Sequence, residues 1–270
     1  MIRIGHNPNT NMLPMFYFLP QTNSFMERVT AEPTGHNAML ADGRIAMAPI
    51  SAFSYGEHWQ EYYILPNLSV SVKGRVGSLL LFSKVPLSDL QDKIVAFTDL
   101  SATTVNLTKI LLHQYYRVFP HYLTMSADLT EMFVKADAAL LIGDPAILAA
   151  AKQPDCLIYD LAEEWFKYTG CTMTAAVWAF PKRLSIERPQ EVKAVYNLLI
   201  DAKEQALKHM EEIIEASVNM LGGSHVYWEE YFGRFYYGMN QEYSNGLQTY
   251  FDLCYELGLL SSKPRLSFWP

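Results

Sequence analysis

The feature that most constrains the fold is a repeated order of elements: a short apolar run, a turn of small polar residues, and a segment with helical spacing. The run at residues 94–98 is followed by Ser101-Ala102-Thr103-Thr104 and then by apolar residues at helical spacing. The run at residues 138–142 ends on Gly143-Asp144-Pro145, and a short helical segment follows it. Strands that alternate with helices form a sheet covered by helices, so the sequence predicts an α/β fold.

The same pattern predicts the other elements of the chain. Strands are predicted at residues 2–5, 44–50, 78–82, 94–98, 138–142 and 173–180. Helices are predicted at residues 11–17, 105–116, 228–235 and 242–257, after Pro145, and as one long amphipathic helix from Pro189 to Gly222-Gly223.

The chain contains no segment that resembles a flexible linker. Two lobes can then form only if the chain crosses between them on strands, and the predicted crossings are residues 78–84 and 174–180. This division gives a discontinuous lobe one, residues 1–82 plus 179–270, and a lobe two, residues 83–178. A ligand is expected in the cleft between the lobes, where carboxyl ends of strands and helix N-termini meet.

Charge and composition exclude several classes of protein. The net charge of −7 is spread along the chain, and no basic run is interleaved with aromatic residues, so nucleic acid is excluded as a partner. No apolar run approaches the roughly 20 residues that span a bilayer, and no export signal opens the sequence. The sequence therefore predicts a soluble cytoplasmic protein without a membrane partner.

Motifs for metals, cofactors and activated nucleophiles are absent from the sequence. Three scattered cysteines and seven histidines lack the spacing of metal ligands. No GxSxG, Walker or GxGxxG motif occurs. The sequence therefore predicts neither a metal nor a cofactor.

Small polar residues follow predicted strands at Asn9-Thr10-Asn11, Ser101-Ala102-Thr103-Thr104 and Gly143-Asp144. Backbone N–H groups at a helix N-terminus favour a bound anion. Each segment also has a purely structural interpretation, because such residues cap helices in many α/β proteins. Their shared position after strands favours a single cleft. The predicted substrate-binding residues are Ser51, Ser101, Ala102, Thr103, Thr104, Gly143 and Asp144.

Several stretches occur together in the order of one known family. They include Arg3-Ile4-Gly5-His6, Ala48-Pro49-Ile50-Ser51, Leu65-Pro66-Asn67-Leu68-Ser69, Gly74-Arg75-Val76-Gly77-Ser78, Ala138-Ala139-Leu140-Leu141-Ile142-Gly143-Asp144 and Tyr159-Asp160-Leu161. With them the chain resembles the chorismate dehydratases of the futalosine route to menaquinone over nearly its whole length.

The resemblance implies a two-lobed periplasmic-binding-protein type II fold. It also implies conversion of chorismate to 3-[(1-carboxyvinyl)oxy]benzoate and water without a cofactor. The family's functional Asn and Ser correspond to Asn11 and Ser78, which are therefore the predicted catalytic residues. The chain departs from the family at Pro8 and Asn9, where a Ser and an aromatic residue are usual.

Two alternative functions stay open from the sequence. The sibling 1,4-dihydroxy-6-naphthoate synthase carries an Ile-His-Glu type motif where this chain has Ile142-Gly143-Asp144, which favours the dehydratase. A cytoplasmic small-anion binding protein of the same fold is the non-catalytic alternative. The proton acceptor of the dehydratase reaction is predicted to be the substrate's own enolpyruvyl carboxylate, with Asp144 as the alternative base.

Overall fold

The computed structural model describes all 270 residues as a chain of eleven strands and twelve α-helices. The strands are β1 (Ile2–His6), β2 (Met26–Thr30), β3 (Ala48–Ser51), β4 (Tyr62–Val72), β5 (Leu79–Ser83), β6 (Ile94–Thr98), β7 (His121–Met125), β8 (Ala138–Ile142), β9 (Leu157–Asp160), β10 (Met173–Pro181) and β11 (Phe235–Tyr236).

The helices are α1 (Leu13–Phe16), α2 (Pro33–Ala41), α3 (Ala52–His58), α4 (Ala102–Ile110), α5 (Leu129–Lys135), α6 (Gly143–Ala151), α7 (Leu161–Thr169), α8 (Leu184–Glu187), α9 (Pro189–Lys208), α10 (Met210–Leu221), α11 (His225–Gly233) and α12 (Gln241–Glu256). A 3-10 turn at Thr10–Met12 precedes α1, and a π-helical segment at Leu111–Tyr116 continues α4. None of the helices combines the length and the apolar composition needed to cross a membrane.

The strands form two main sheets and a small parallel pair. One main sheet has the order β11-β4-β10-β3, and β1 pairs with β2 beside it. The other has the order β7-β6-β8-β5-β9, in which β6 runs parallel to β7 and β8 while β5 runs antiparallel to β8 and β9. Helices pack around the sheets, as the alternating sequence pattern predicts.

The predicted crossing strands belong to different sheets. The strand β5 pairs only within the five-stranded sheet, and β10 pairs only within the four-stranded sheet. The largest apolar core joins them, because Leu81 on β5 and Val177 on β10 belong to the same buried cluster. The domain boundaries at residues 82–83 and 178–179 stay a prediction.

The long amphipathic helix predicted from Pro189 to Gly222-Gly223 is instead two helices. The chain leaves helical geometry at His209, where φ is −118° and ψ is 43°. On either side, α9 packs against α1 and α10 packs against α11. One straight helix would not bury both apolar faces, so packing overrides the continuous helical spacing.

Five strands, β2, β4, β7, β9 and the two-residue β11, were not predicted from the sequence. In β4, Pro66 cannot donate a ladder hydrogen bond, and Asn67 has a left-handed φ of 57°. The pairing of β4 with β10 shifts register at this point, which makes the strand irregular. The predicted strand at 44–50 is shorter than expected, because only Ala48–Ser51 pairs with β10.

Candidate functional site

A small cavity lies between the two main sheets, at the ends of several strands. Its volume is about 70 Å³. Apolar side chains and backbone from β3, β5 and β10 form part of its wall. Its polar lining residues are Asn7, Asn9, Asn11, Ser51, Ser78, Ser101 and Thr104, together with Gly143.

The N-termini of α3 and α4 reach this cavity. Ser51 caps α3 by accepting a hydrogen bond from Ser54 N at 3.2 Å. Ser101 caps α4 by accepting from Thr104 N at 3.0 Å, and its hydroxyl donates to Thr104 Oγ1 at 3.0 Å. The Thr104 hydroxyl hydrogen has no protein acceptor, so it is available to a ligand. With the positive end of the α4 dipole, it favours a carboxylate.

The two predicted catalytic residues, Asn11 and Ser78, both line the cavity. Ser78 is buried, and its Oγ accepts a hydrogen bond from the Tyr231 hydroxyl at 2.9 Å. No protein group accepts the hydrogen of the Ser78 hydroxyl. Asn11 Oδ1 is buried and accepts no hydrogen bond. Two residues of the cavity wall thus carry an unused donor and an unused acceptor, and buried polar groups of this kind call for a partner.

Gly143 also lines the cavity, at the start of α6. Its N–H donates to the carbonyl of Ser78 at 2.8 Å, and its φ of +60° favours glycine. A Cβ at this position would lie 3.8 Å from the side chain of Asn9. Asn9, one of the two departures from the family pattern, therefore occupies the space in front of the α6 N-terminus.

Three predicted substrate-binding residues, Ala102, Thr103 and Asp144, do not line the cavity. Thr103 Oγ1 accepts from Phe53 N at 3.0 Å and donates to the carbonyl of Ala175 at 3.2 Å. These bonds connect α4 to α3 and β10. Substrate contact by Ala102, Thr103 and Asp144 stays a prediction.

The Asp144 carboxylate points toward the 3-10 turn at Thr10–Met12. It accepts hydrogen bonds from Thr10 N at 3.2 Å and 3.3 Å and from the Thr10 hydroxyl. Burial raises the pKa of Asp144, and the bonds from Thr10 act against this rise. The carboxylate is already satisfied by protein donors, which favours a contact between α6 and residue 10 over proton abstraction.

Comparison with known proteins assigns the family. The sequence profile of a family described as menaquinone biosynthesis matches residues 2–256. The chain is also 31% identical over 255 residues to the chorismate dehydratase of Thermus thermophilus, which covers 89% of this chain and 90% of that protein. The chain belongs to the menaquinone biosynthesis family.

Solved structures confirm the predicted fold of this family member. A protein of Archaeoglobus fulgidus has a TM-score of 0.77 at 21% identity, covering 96% of this chain and 98% of that chain. The periplasmic aliphatic sulphonate binding protein of Escherichia coli has a TM-score of 0.65 at 16% identity, covering 97% and 94%. At these identities the likeness concerns the fold alone, which is that of the periplasmic binding proteins.

A larger groove of about 660 Å³ lies on another face of this menaquinone-family chain, between α6 and α11. Three of its five charged groups have protein partners: Asp160 accepts from the N–H groups of Val76 and Gly77, and Arg234 pairs with Glu230. The groove is lined by none of the predicted site residues, although it includes Gly77, the chain neighbour of Ser78. We therefore place the candidate site in the smaller cavity.

Sequence reasoning missed several residues at the site. Asn7 lines the cavity and accepts a hydrogen bond from Asn9 N at 3.0 Å. It lies two residues before the polar segment singled out in the sequence, so it could have been included. Tyr231 and Tyr237 contact Ser78 and Asn11 from the C-terminal part of the chain. Their helical spacing indicates only core packing, and no local signal distinguishes them.

Proposed function

We propose that this protein is a cytoplasmic chorismate dehydratase, a lyase that converts chorismate to 3-[(1-carboxyvinyl)oxy]benzoate and water. The relative from Thermus thermophilus supports the substrate and the reaction. The observation that carries the proposal is the pairing of an unused donor on Ser78 with an unused acceptor on Asn11. A substrate hydroxyl accepts one hydrogen bond and donates another, so it satisfies both groups.

The C4 hydroxyl of chorismate is the group proposed to lie between Asn11 and Ser78. In the reaction, the C3–H and C4–O bonds break, the ring becomes aromatic, and the C4 oxygen leaves as water. A hydrogen bond from Ser78 to the leaving oxygen stabilises the negative charge that develops there. Asn11 holds the hydroxyl hydrogen and so fixes the direction of the C4–O bond.

The ring carboxylate is proposed to lie at the N-terminus of α4. Negative charge that develops at C3 delocalises through the ring into this carboxylate. Ser101 uses its hydroxyl to cap the helix, while Thr104 retains an unused hydroxyl hydrogen at the cavity wall. Thr104 and the first N–H groups of α4 would therefore stabilise the carboxylate more strongly as charge accumulates.

The proton acceptor is proposed to be the substrate's enolpyruvyl carboxylate, which takes the C3 proton and passes it to the C4 oxygen as the C4–O bond breaks, so that this oxygen leaves as water. Neither an amide nor an unactivated hydroxyl has a pKa suited to hold the C3 proton near neutral pH. Asp144 is held by Thr10 and does not line the cavity. The enolpyruvyl group is attached to C3 itself, so its carboxylate is the nearest anion to that proton.

Incubation of the pure protein with chorismate tests the proposal directly. The product is separated by chromatography and identified by its mass, which is lower than that of chorismate by one water. Ser78→Ala should lose about 10² to 10³ in kcat, while Ser88→Ala, at an exposed serine whose hydroxyl donates to Asp89, should match wild type. Chorismate that binds and is recovered unchanged would instead identify a non-catalytic anion-binding protein.

A further inference from the structure

Three buried tyrosines in the C-terminal part of the chain each donate a hydrogen bond to a predicted site residue. The hydroxyl of Tyr231 donates to Ser78 Oγ at 2.9 Å. Those of Tyr237 and Tyr250 donate to the carbonyls of Asn11 at 2.8 Å and Thr103 at 3.0 Å. Tyr231 differs from the other two because it contacts the side-chain atom proposed to act on the substrate, whereas they support backbone.

The bond from Tyr231 restricts what the Ser78 hydroxyl can do. A hydroxyl has one hydrogen to donate, and its oxygen accepts through lone pairs on the other side. Because Tyr231 occupies an acceptor position of Ser78 Oγ, the serine hydrogen must point elsewhere. No protein acceptor is within reach of it, and Ser78 lines the cavity. The hydrogen is therefore directed to a ligand oxygen.

The tyrosine itself is held rigidly. Its side chain is fully buried, and its ring contacts those of Trp228, Phe232 and Phe235 with centroid separations of 5.3, 5.4 and 5.0 Å. Burial also raises the pKa of Tyr231 far above its ordinary value, which keeps the hydroxyl protonated. A fixed and permanently protonated donor is suited to orient another hydroxyl.

We propose that Tyr231 is a positioning residue of the dehydratase reaction, which directs the Ser78 hydroxyl hydrogen at the leaving oxygen of the substrate. The inference rests on the proposed function. Tyr231 polarises Ser78 as well as orienting it, since a hydroxyl that accepts a hydrogen bond becomes a better donor. Its contribution belongs to the step in which charge develops on the leaving oxygen, and substrate binding depends on it little.

A double-mutant cycle on Tyr231 and Ser78 tests the inference. Tyr231→Phe should lower kcat by roughly 10-fold to 100-fold and change KM by less than about threefold. In the Ser78→Ala background the same substitution should cause no further loss, because its target hydroxyl is gone. Tyr55→Phe is the matched control: Tyr55 is also fully buried and bonds the carbonyl of Arg265, away from the cavity, so kcat should stay at the wild-type value.

The outcomes separate this inference from the proposed function. A wild-type protein that leaves chorismate unchanged overturns both. An active wild type in which Tyr231→Phe keeps full kcat, or in which the two losses multiply, overturns the role of Tyr231 alone.

A crystal structure with the product bound checks the same point without any variant. It should show the Tyr231 hydroxyl and a product or water oxygen both within hydrogen-bond distance of Ser78 Oγ. A Ser78 hydroxyl turned to a protein acceptor would contradict the inference.

Discussion

Thr103 and Thr104 are adjacent in the chain, yet their hydroxyl groups have different partners. The Thr103 hydroxyl is used within the protein, where it accepts from Phe53 N and donates to the carbonyl of Ala175. The Thr104 hydroxyl accepts from Ser101, and its hydrogen is free at the cavity wall. A one-residue step along a helix rotates the side chain by about 100°, which accounts for the difference.

Valine substitutions should separate these two roles. Thr104→Val should lower kcat/KM by the value of a hydrogen bond to a charged group, about 1.5 to 3 kcal/mol, with little change in stability. Thr103→Val should leave the N–H of Phe53 without an acceptor and lower the free energy of unfolding by about 1 to 3 kcal/mol. Steady-state kinetics and urea unfolding of both variants measure the two effects. Equal kinetics for Thr104→Val and wild type would contradict a carboxylate site at α4.

Asn11→Asp tests orientation against proton transfer at Asn11, the proposed partner of the substrate hydroxyl. The substitution keeps the shape of the side chain but places a negative charge beside a dianionic substrate, so kcat/KM should fall. Asn245→Asp, at an exposed position on α12, is the matched control and should leave kcat/KM unchanged. A faster enzyme whose rate rises through a carboxylate pKa would show that a protein base works here, and the substrate-assisted scheme would then be wrong.

At the scale of elements, the start of α6 contacts the 3-10 turn before α1 through Asp144 and Thr10. These elements lie in different predicted lobes and 134 residues apart. Their chain neighbours Asn11 and Gly143 line the cavity, whereas Thr10 and Asp144 themselves do not. Asp144 thus has two competing interpretations, a closing contact between lobes and the alternative base of the reaction.

A pair of variants distinguishes the two interpretations of Asp144. If the carboxylate serves closure, Asp144→Asn and Thr10→Val should both raise KM and lower kcat by less than about tenfold, since they break the same contact. If Asp144 is the base, only Asp144→Asn should be severely impaired, by about 10² to 10⁴ in kcat. Steady-state kinetics of the two variants, with circular dichroism to verify folding, give the answer.

At the scale of the whole molecule, the cavity is too small for its proposed ligand. Its volume of about 70 Å³ is well below the roughly 300 to 1,000 Å³ of typical ligand pockets. We therefore expect the two predicted lobes to separate when the substrate enters and to close around it. The predicted crossings at residues 78–84 and 174–180 are the expected hinges, because the chain passes there from one predicted lobe to the other.

Solution scattering should detect this closure. The radius of gyration should be smaller with saturating product than without ligand, since the ligand bridges both lobes and excludes water. The same measurement on Asp144→Asn should give a larger ligand-free radius than wild type. An unchanged radius at saturating product would indicate a rigid site.

The stability of the folded chain should depend on pH through a buried histidine. His36 is fully buried, and desolvation lowers its pKa from 6.5 to about 4, although the carbonyls of Val29 and His6 act against the shift. Between these two values the unfolded chain binds the proton more tightly, so the free energy of unfolding falls as the pH drops from 6.5 to 4. The loss is on the order of 3 kcal/mol at the low end.

Comparison of variants isolates this contribution from the other titrating groups. Burial also lowers the pKa of His6 to about 4, which adds to the loss at low pH, and raises the pKa of Asp144 and Asp160, which opposes it; wild type and the variants all retain these three groups. His36→Leu should flatten the dependence between pH 4 and 6.5 relative to wild type, as measured by urea unfolding. The exposed His121→Gln should keep the wild-type slope. Equal slopes for His36→Leu and wild type would contradict the assignment.

The sequence by itself determined the fold class, the family and much of the cavity wall. The strands β6 and β8 were predicted at their observed bounds, because each is a compact apolar run followed by a turn and a helix. Asn11 and Ser78 line the cavity, as the family resemblance implied. The strand bounds depend on local patterns and the two site residues on motifs shared with the family, and both kinds of signal are present in the sequence.

Only the tertiary structure decided how the side chains at the site are used. The bonds of Tyr231 to Ser78 and of Thr10 to Asp144 join residues 153 and 134 positions apart, and nothing near either residue indicates its partner. The break between α9 and α10 and the irregular strand β4 likewise follow from neighbours packed against them. A buried polar group takes the partner that folding brings within about 3 Å, and that distance is set by the whole fold.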